Sequence, residues 1–395
     1  MSRPRLEGPL LAAGTIAVAV VVAEIFLRLF APVANPYEEF ERLRPQINQY
    51  IRSEYPRHYS AVTEAEPGLP GVTGRNNFTT NNMGFRGDSL ADPKPPGEFR
   101  VFMVGGSTTE CFYLDDEDDI ARVVQREASA RAPGATIRVY NAGLSGAASD
   151  DHVAMISQRL VHFEPDLIVV FCGFNDLTKS IFRYDYRHYI EYRPAYRKPW
   201  YKRAAMHLQL VRRLFYLRSR TGQDPQRVQE ARPLVTNYEG LIGLQRTVPP
   251  SDTPPRTDIP SYQTNLRSMA GIARANGFAL VFMTQPTTWN STVDARAREH
   301  HHMRYRGGVT YREDLMDAAM ERLNDAMRAV GREETVPVYD LARVLPKSLD
   351  YFYDDCHFNV AGAAAAGKGL TDFLAAQGLI APTAATHTPE AKVDE

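Results

Sequence analysis

The sequence predicts an α/β fold: a parallel sheet of about five strands with helices on both faces, preceded by an N-terminal transmembrane helix. Three observations predict it. Short apolar runs recur along the chain, as in RVFMV (100–104), IRVYNA (137–142), DLIVVF (166–171), FALVFM (278–283) and VPVY (336–339). A stretch with helical periodicity separates or follows them, and glycines and polar residues stand where the apolar runs end. Apolar strands alternating with helices are buried on both faces, which is the pattern of a parallel sheet.

At 395 residues the chain has room for one large domain or two ordinary ones. Its 44% hydrophobic and 24% charged content is that of a globular protein, and a net charge of −1 excludes nucleic-acid binding driven by whole-molecule electrostatics. The three cysteines, Cys111, Cys172 and Cys356, have no zinc-ligand spacing and cannot all pair with one another.

Residues 1–35 carry Arg3 and Arg5 and then fifteen uncharged residues, 9–23; counted through Phe30 the stretch has 22 residues. That is close to the roughly 20 residues that a membrane helix needs. Glu24 and Arg28 stand at i,i+4 and can pair on one helix face. The basic residues ahead of the apolar run belong on the cytoplasmic side, so the reading is an uncleaved single-pass anchor with the rest of the chain outside the cytoplasm, in a periplasm or at the cell surface. Residues 36–97 are polar and rich in turn formers, and read as an extension packed on the main domain.

The main domain spans 98–380. Strand 100–104 leads to a helix over 118–130, strand 136–143 to a helix over 150–163, and strand 166–173 to an insert over 178–260. A helix over 262–275, strand 278–286, a helix over 313–330, strand 336–342 and a final helix over 359–377 complete it. The insert opens basic and aromatic: residues 179–220 hold twelve Lys/Arg against two acidic residues, with Met206, Leu210, Leu214 and Leu217 at helical spacing. This reads as a helix packed on the domain with a solvated basic face, or as a lid or rim that touches an anionic lipid surface or an acidic polymer. Residues 381–395 read as a disordered tail.

Polar residues gather at the strand ends: Gly106-Ser107-Thr108 after the first, NAGLSGAASDD with Gly143 and Gly146 after the second, and Gly173-Phe174-Asn175-Asp176 after the third. Asp354 and His357 stand three apart before the last helix. Taken alone, Ser107 reads as a helix cap, Asn175 as a turn residue, and Asp354 with His357 as a local pair. Together they resemble the SGNH (GDSL-type) hydrolase superfamily. Ser107 matches its first block, Gly143 its second, Asn175 its third and Asp354-x-x-His357 its last, in the family's order. MGFRG (83–87) and GGSTTE (105–110) resemble its membrane-anchored bacterial branch, and Gly106 stands where the literal motif has Asp.

The resemblance implies a three-layer α/β/α sandwich, flavodoxin-like in build. It also implies a serine esterase acting on an O-acyl carbohydrate or a lipid through an acyl-serine, without metal or cofactor. Ser107, His357 and Asp354 are then nucleophile, base and orienting acid. The Ser107 N–H, the Gly143 N–H and the Asn175 side chain are the expected oxyanion donors. Alternatives carried forward are an O-acyltransferase acting on an extracytoplasmic glycan and a non-catalytic scaffold of the same fold. Other candidates are weaker. LDDEDD (114–119) lacks calcium-loop spacing and reads as acidic residues at a helix start; Ser145 reads as loop; His152 and His162 read as ordinary helix residues. EHHH (299–302) is a lone metal-like cluster, and Gln285-Pro286-Thr287 a pocket wall. The sequence fixes no oligomeric state.

Overall fold

The computed structural model describes residues 7–33, 51, 54–65, 68–182, 200–220, 238–290, 295–306 and 308–380. The chain divides into two units, Met1–Pro45 with His188–Thr236, and Gln46–Arg187 with Asn237–Glu395. The expected boundaries placed the whole insert in the main domain; instead its middle joins the N-terminal segment. The tail lies outside the described residues, as do 183–199 and 221–237 of the insert.

In the first unit, helix α1 (Glu7–Phe30) is apolar and exposes Ile16, Val18, Val21, Val22, Ile25 and Phe26. The expected transmembrane segment therefore forms a helix, but among the described residues no helix is long and apolar enough to cross a membrane. Glu24 interrupts the apolar run. Its carboxylate accepts from Arg28 Nε at 2.8 Å, the expected i,i+4 pair, and from the Gln209 and Leu210 N–H groups at 2.9 and 3.1 Å. Those N–H groups open the insert helix Gln209–Arg220, so Glu24 caps it. Leu210, Leu214 and Leu217 lie on that helix, Met206 precedes it, and Leu214 is exposed.

The second unit holds a two-stranded antiparallel ribbon, β1 (Ser60–Glu64) with β2 (Arg75–Thr79), in the expected extension. It is followed by β3 (Glu98–Gly105), α2 (Ser107–Glu110), α3 (Ile120–Arg131), β4 (Thr136–Gly143), α4 (Ser149–Gln158), β5 (Leu167–Phe171) and α5 (Phe174–Ile181). Beyond the insert come α6 (Ile259–Asn276), β6 (Ala279–Met283), β7 (Tyr305–Arg306), β8 (Val309–Tyr311), α7 (Glu313–Glu334), β9 (Val338–Tyr339) and α8 (Val360–Ala376). The central sheet is parallel and five-stranded, ordered β9-β6-β5-β3-β4.

Alternation along the strands sorts side chains onto two faces. Phe102, Val104, Ile168, Val170, Leu280 and Phe282 pack with α4, α6 and α7. Val101, Met103, Val169, Phe171, Val281 and Met283 pack with α3 and α8. This is the expected three-layer sandwich. Each fully buried apolar side chain contributes about 1.5–3 kcal/mol, so the two apolar faces of the sheet, rather than any surface ion pair, hold the layers.

Helix ends follow local chemistry. Asp119 caps α3, accepting from Ala121 N at 2.7 Å and Arg122 N at 3.0 Å. Asp115 and Asp116 bind the extension through Asn77 and Thr79, which accounts for the acidic run without a cation. The helix expected over 150–163 breaks at Arg159 into α4 and a 3₁₀ turn, Leu160–Phe163. A small sheet of β7, β8 and Pro250–Ser251 had no counterpart in the sequence reading.

Candidate active site

Ligand sites in open parallel sheets form where the strand order reverses, beyond the carboxyl ends. Here β3 sends its neighbours to opposite sides: Gly105 pairs with Gly143 of β4 and with Phe171 of β5. The residues following Gly105 and Phe171, and those of the loop after β4, are the ones singled out from the sequence.

Ser107 is the first residue of α2. The Thr109 and Glu110 N–H groups donate to Gly106 O, and Cys111 N donates to Ser107 O, so the Ser107 N–H stands outside this ladder. Ser107 Oγ lies 2.8 Å from His357 Nε2. His357 Nδ1 lies 2.7 Å from Asp354 Oδ2, and Asp354 Oδ1 accepts from the backbone N–H groups of Cys356 at 2.9 Å and His357 at 2.8 Å. Ser107 and His357 are 250 residues apart in sequence, yet the three side chains form one unbroken hydrogen-bond chain.

Asp354 is buried. Burial alone would push its carboxyl up, but the His357 imidazole and the backbone donors hold it well below the usual carboxylate range. Burial likewise disfavours protonated His357, and the charge and hydrogen bond of Asp354 outweigh it, raising the imidazole above its ordinary 6.5. A buried acid paired to an imidazole that faces a hydroxyl is equipped to draw a proton off that hydroxyl.

The profile of the GDSL-like lipase/acylhydrolase family matches residues 103–365, which include all three side chains. The chain belongs to this family. The GDSL-like chain is thus an ester-hydrolysing enzyme. Solved structures similar to it include an alpha/beta hydrolase enzyme from the metagenome of Lake Arreo, Spain (15% identity, 73% of this chain and 98% of that one, TM-score 0.40). Others are a lipase/acylhydrolase from Enterococcus faecalis (15%, 71% and 97%, 0.38) and an acetyl xylan esterase from Geobacillus stearothermophilus (14%, 71% and 95%, 0.40). No curated protein matches.

In this GDSL-like enzyme the expected oxyanion donors do not all converge. Asn175, at the start of α5, donates from Nδ2 to Ala147 O at 2.8 Å. A Cβ on Gly106 would stand 2.5 Å from that nitrogen, so the amide lies against the residue preceding Ser107, with its second N–H still to give. Gly143 does not join it. Its N–H donates to Asn141 Oδ1 at 2.9 Å, inside the end of β4. What Gly143 supplies is space: a Cβ there would overlap the Glu110 backbone of α2. The glycine beside the Asn175 acceptor is Gly146, with φ +74°. Replacing Gly143 by alanine is expected to cost about 1–3 kcal/mol as an overpacking change and to lower kcat/KM with it, because α2 carries Ser107. Thermal unfolding and ester turnover of the purified variant check both.

The remaining polar residues near the site serve the fold. Ser145 is loop; its N–H donates to Glu110 Oε1 at 2.9 Å, and Glu110 also accepts from the Tyr55 hydroxyl. Gln285 Oε1 accepts from Thr108 Oγ1 at 3.3 Å and ties α2 to the end of β6. The EHHH cluster braces the Asp354 loop: His301 Nε2 is 2.9 Å from Thr288 Oγ1, which is 3.1 Å from Asp354 O. Trp289 Nε1 donates to Asp355 Oδ1 at 2.6 Å, and His302 N to Asp355 Oδ2 at 2.7 Å. His152 is buried, and burial pulls its imidazole down to about 4. The cysteines are all free and buried. Among the described residues the one group within joint ligating reach is Asp354, Cys356 and His357, and two of its members are already bonded to each other.

Proposed function

We propose that the chain is a serine esterase whose nucleophile is Ser107, acting on an O-acyl carbohydrate or a lipid ester. The observation that carries this is the continuous Ser107–His357–Asp354 hydrogen-bond chain. His357 Nε2 takes the Ser107 proton as Oγ attacks the ester carbonyl carbon. Negative charge then moves to the carbonyl oxygen, where the Ser107 N–H and the Asn175 amide stabilise it. The imidazolium, steadied by Asp354, returns the proton to the departing alcohol, leaving acyl-Ser107. Water attacks that ester, its proton passes to His357, and the acid leaves as the proton returns to Ser107.

Cleavage of p-nitrophenyl acetate, butyrate and octanoate tests the reading and ranks acyl length. Hydrolysis by the wild type, lost in Ser107→Ala, upholds it; equal inactivity of both, with no labelling by a fluorophosphonate, overturns simple hydrolysis in favour of a transferase or scaffold. The pH profile has a set direction. Neutral His357 is the base and its protonated form is favoured above 6.5, so kcat/KM falls as pH drops through a midpoint above that value. Asp354→Asn moves the midpoint down and lowers kcat by about 10⁴-fold.

We further propose that α1 attaches the enzyme to a membrane, with the catalytic unit outside the cytoplasm. The exposed apolar side chains of α1 support this, as do the basic residues before it. Retention in the membrane pellet at alkaline pH, lost on removing residues 1–33, is the expected result; release of the full chain would reject attachment.

A further inference from the structure

Four arginines are buried among the described residues: Arg86, Arg100, Arg306 and Arg328. Three have a carboxylate partner. Arg86 pairs with Asp116, Arg100 with Glu98 and Arg328 with Asp340. Arg306, 7% exposed, has none. Among the described residues its one hydrogen bond runs from Nη1 to the carbonyl of its neighbour Tyr305 at 3.0 Å, and its Nε finds no acceptor there. A guanidinium carries five N–H donors and keeps its charge at any working pH. Buried charge without a partner is costly, by several kcal/mol per ion.

The position of Arg306 gives the cost a purpose. It ends β7, the strand continuing from His302 and Met303, whose N–H groups bind Asp355 at 2.7 and 3.2 Å. Met303 Sδ lies 3.8 Å from Cys356 Sγ, next to His357. The acidic side chain that acts on Arg306 is Asp355, and burial outweighs that attraction. Asp355 is already committed on both oxygens, to Trp289, His302 and Met303. A charge left open beside the triad loop, where the other buried arginines are closed by acids of this chain, is suited to an acid brought by something else.

We propose that Arg306 is an anion-recognition residue that binds a carboxylate or phosphate group of the ester substrate. The planar fork matches either oxyanion bidentately. The identity of the ligand as substrate rests on the serine-esterase reading; anion binding at Arg306 does not.

The test uses the full chain, in wild-type, Arg306→Met, Arg306→Lys and Ser107→Ala forms. Thermal unfolding is followed with glucuronate, with inorganic phosphate and with neither. The wild type and Ser107→Ala are expected to gain Tm with one of the two, which separates carboxylate from phosphate. Arg306→Met is expected to match or exceed the wild-type Tm without anion, and to lose the response; Arg306→Lys keeps part of it. Turnover of acetylated glucuronic acid and acetylated glucose 6-phosphate is then compared with acetylated methyl glucoside. A charged ester should be preferred by the wild type about 10-fold or more, as a charge-assisted hydrogen bond is worth about 1.5–3 kcal/mol. That preference should vanish in Arg306→Met while the neutral ester is cleaved as before.

No anion response in the wild type, or loss of folding in both Arg306 variants, overturns the site. An anion response without preference for a charged ester overturns its role in the substrate. A retained response with no ester cleaved by the wild type leaves the site standing and removes the esterase reading instead.

Discussion

Replacing Ser107 by alanine lowers kcat/KM for p-nitrophenyl acetate by about 10⁴-fold or more, and His357→Ala does the same. The two losses do not add, because the serine hydroxyl and the imidazole act as one unit: without Oγ there is no proton for Nε2 to take across their 2.8 Å contact. The double variant should therefore be about as inactive as either single one. Folding is unaffected by Ser107→Ala, since the hydroxyl caps no helix: the residue at the cap of α2 is Gly106, with no side-chain cap bond. Equal Tm values with the activity gone separate catalysis from stability.

Arg86→Leu is expected to lower both stability and turnover. Arg86 is buried and donates to four main-chain and side-chain acceptors around α2: Glu110 O at 2.8 Å, Cys111 O at 2.9 Å, Leu114 O at 3.0 Å and Asp116 Oδ1 at 2.9 Å. Its backbone exchanges hydrogen bonds with Asn141 at 3.1 and 2.9 Å, and its guanidinium sits 4.5 Å from the centre of the Phe78 ring. It thus gathers carbonyls at and just beyond the C-terminal end of α2 and fixes the helix that starts at Ser107. Removing one partner of a buried, hydrogen-bonded charge costs about 3–5 kcal/mol. At roughly 2–4 °C per kcal/mol for a domain of this size, Tm should drop by about 10 °C. Arg86→Lys should recover little, since a single ammonium cannot reach four acceptors in one plane. Thermal unfolding and kcat/KM on the same preparations decide; an Arg86→Leu protein as stable and active as the wild type would remove Arg86 from this role.

The fold was legible because its strands are buried on both faces, so each reads as an apolar run closed by glycine. The hydrogen-bonded set Ser107, His357 and Asp354 was visible as candidates because Ser107 follows the glycines that close a strand, Asp354 and His357 stand just before the last helix, and with Asn175 they match one family in order. Gly143 was misread for a physical reason. Asn141-Ala142-Gly143-Leu144-Ser145-Gly146 holds two glycines at one strand end, and the pairing of Gly143 with Gly105 and the hydrogen bond from Gly143 N to Asn141 Oδ1 show that the first belongs to the strand. The Arg86 network and the His301–Thr288 brace leave no periodic trace, because each joins residues apart in sequence, and the open charge of Arg306 leaves none because it is defined by the partner it lacks. The N-terminal helix shows the limit of hydropathy: the apolar run gave the helix, while the binding of Glu24 to the insert helix is a contact between residues 185 apart.

The most direct test is to treat the full chain with a fluorophosphonate and map the modified peptide by mass spectrometry. The account predicts one adduct, on Ser107, absent from Ser107→Ala and formed far more slowly in His357→Ala. An adduct on Ser145, or ester cleavage that persists in Ser107→Ala, would contradict it.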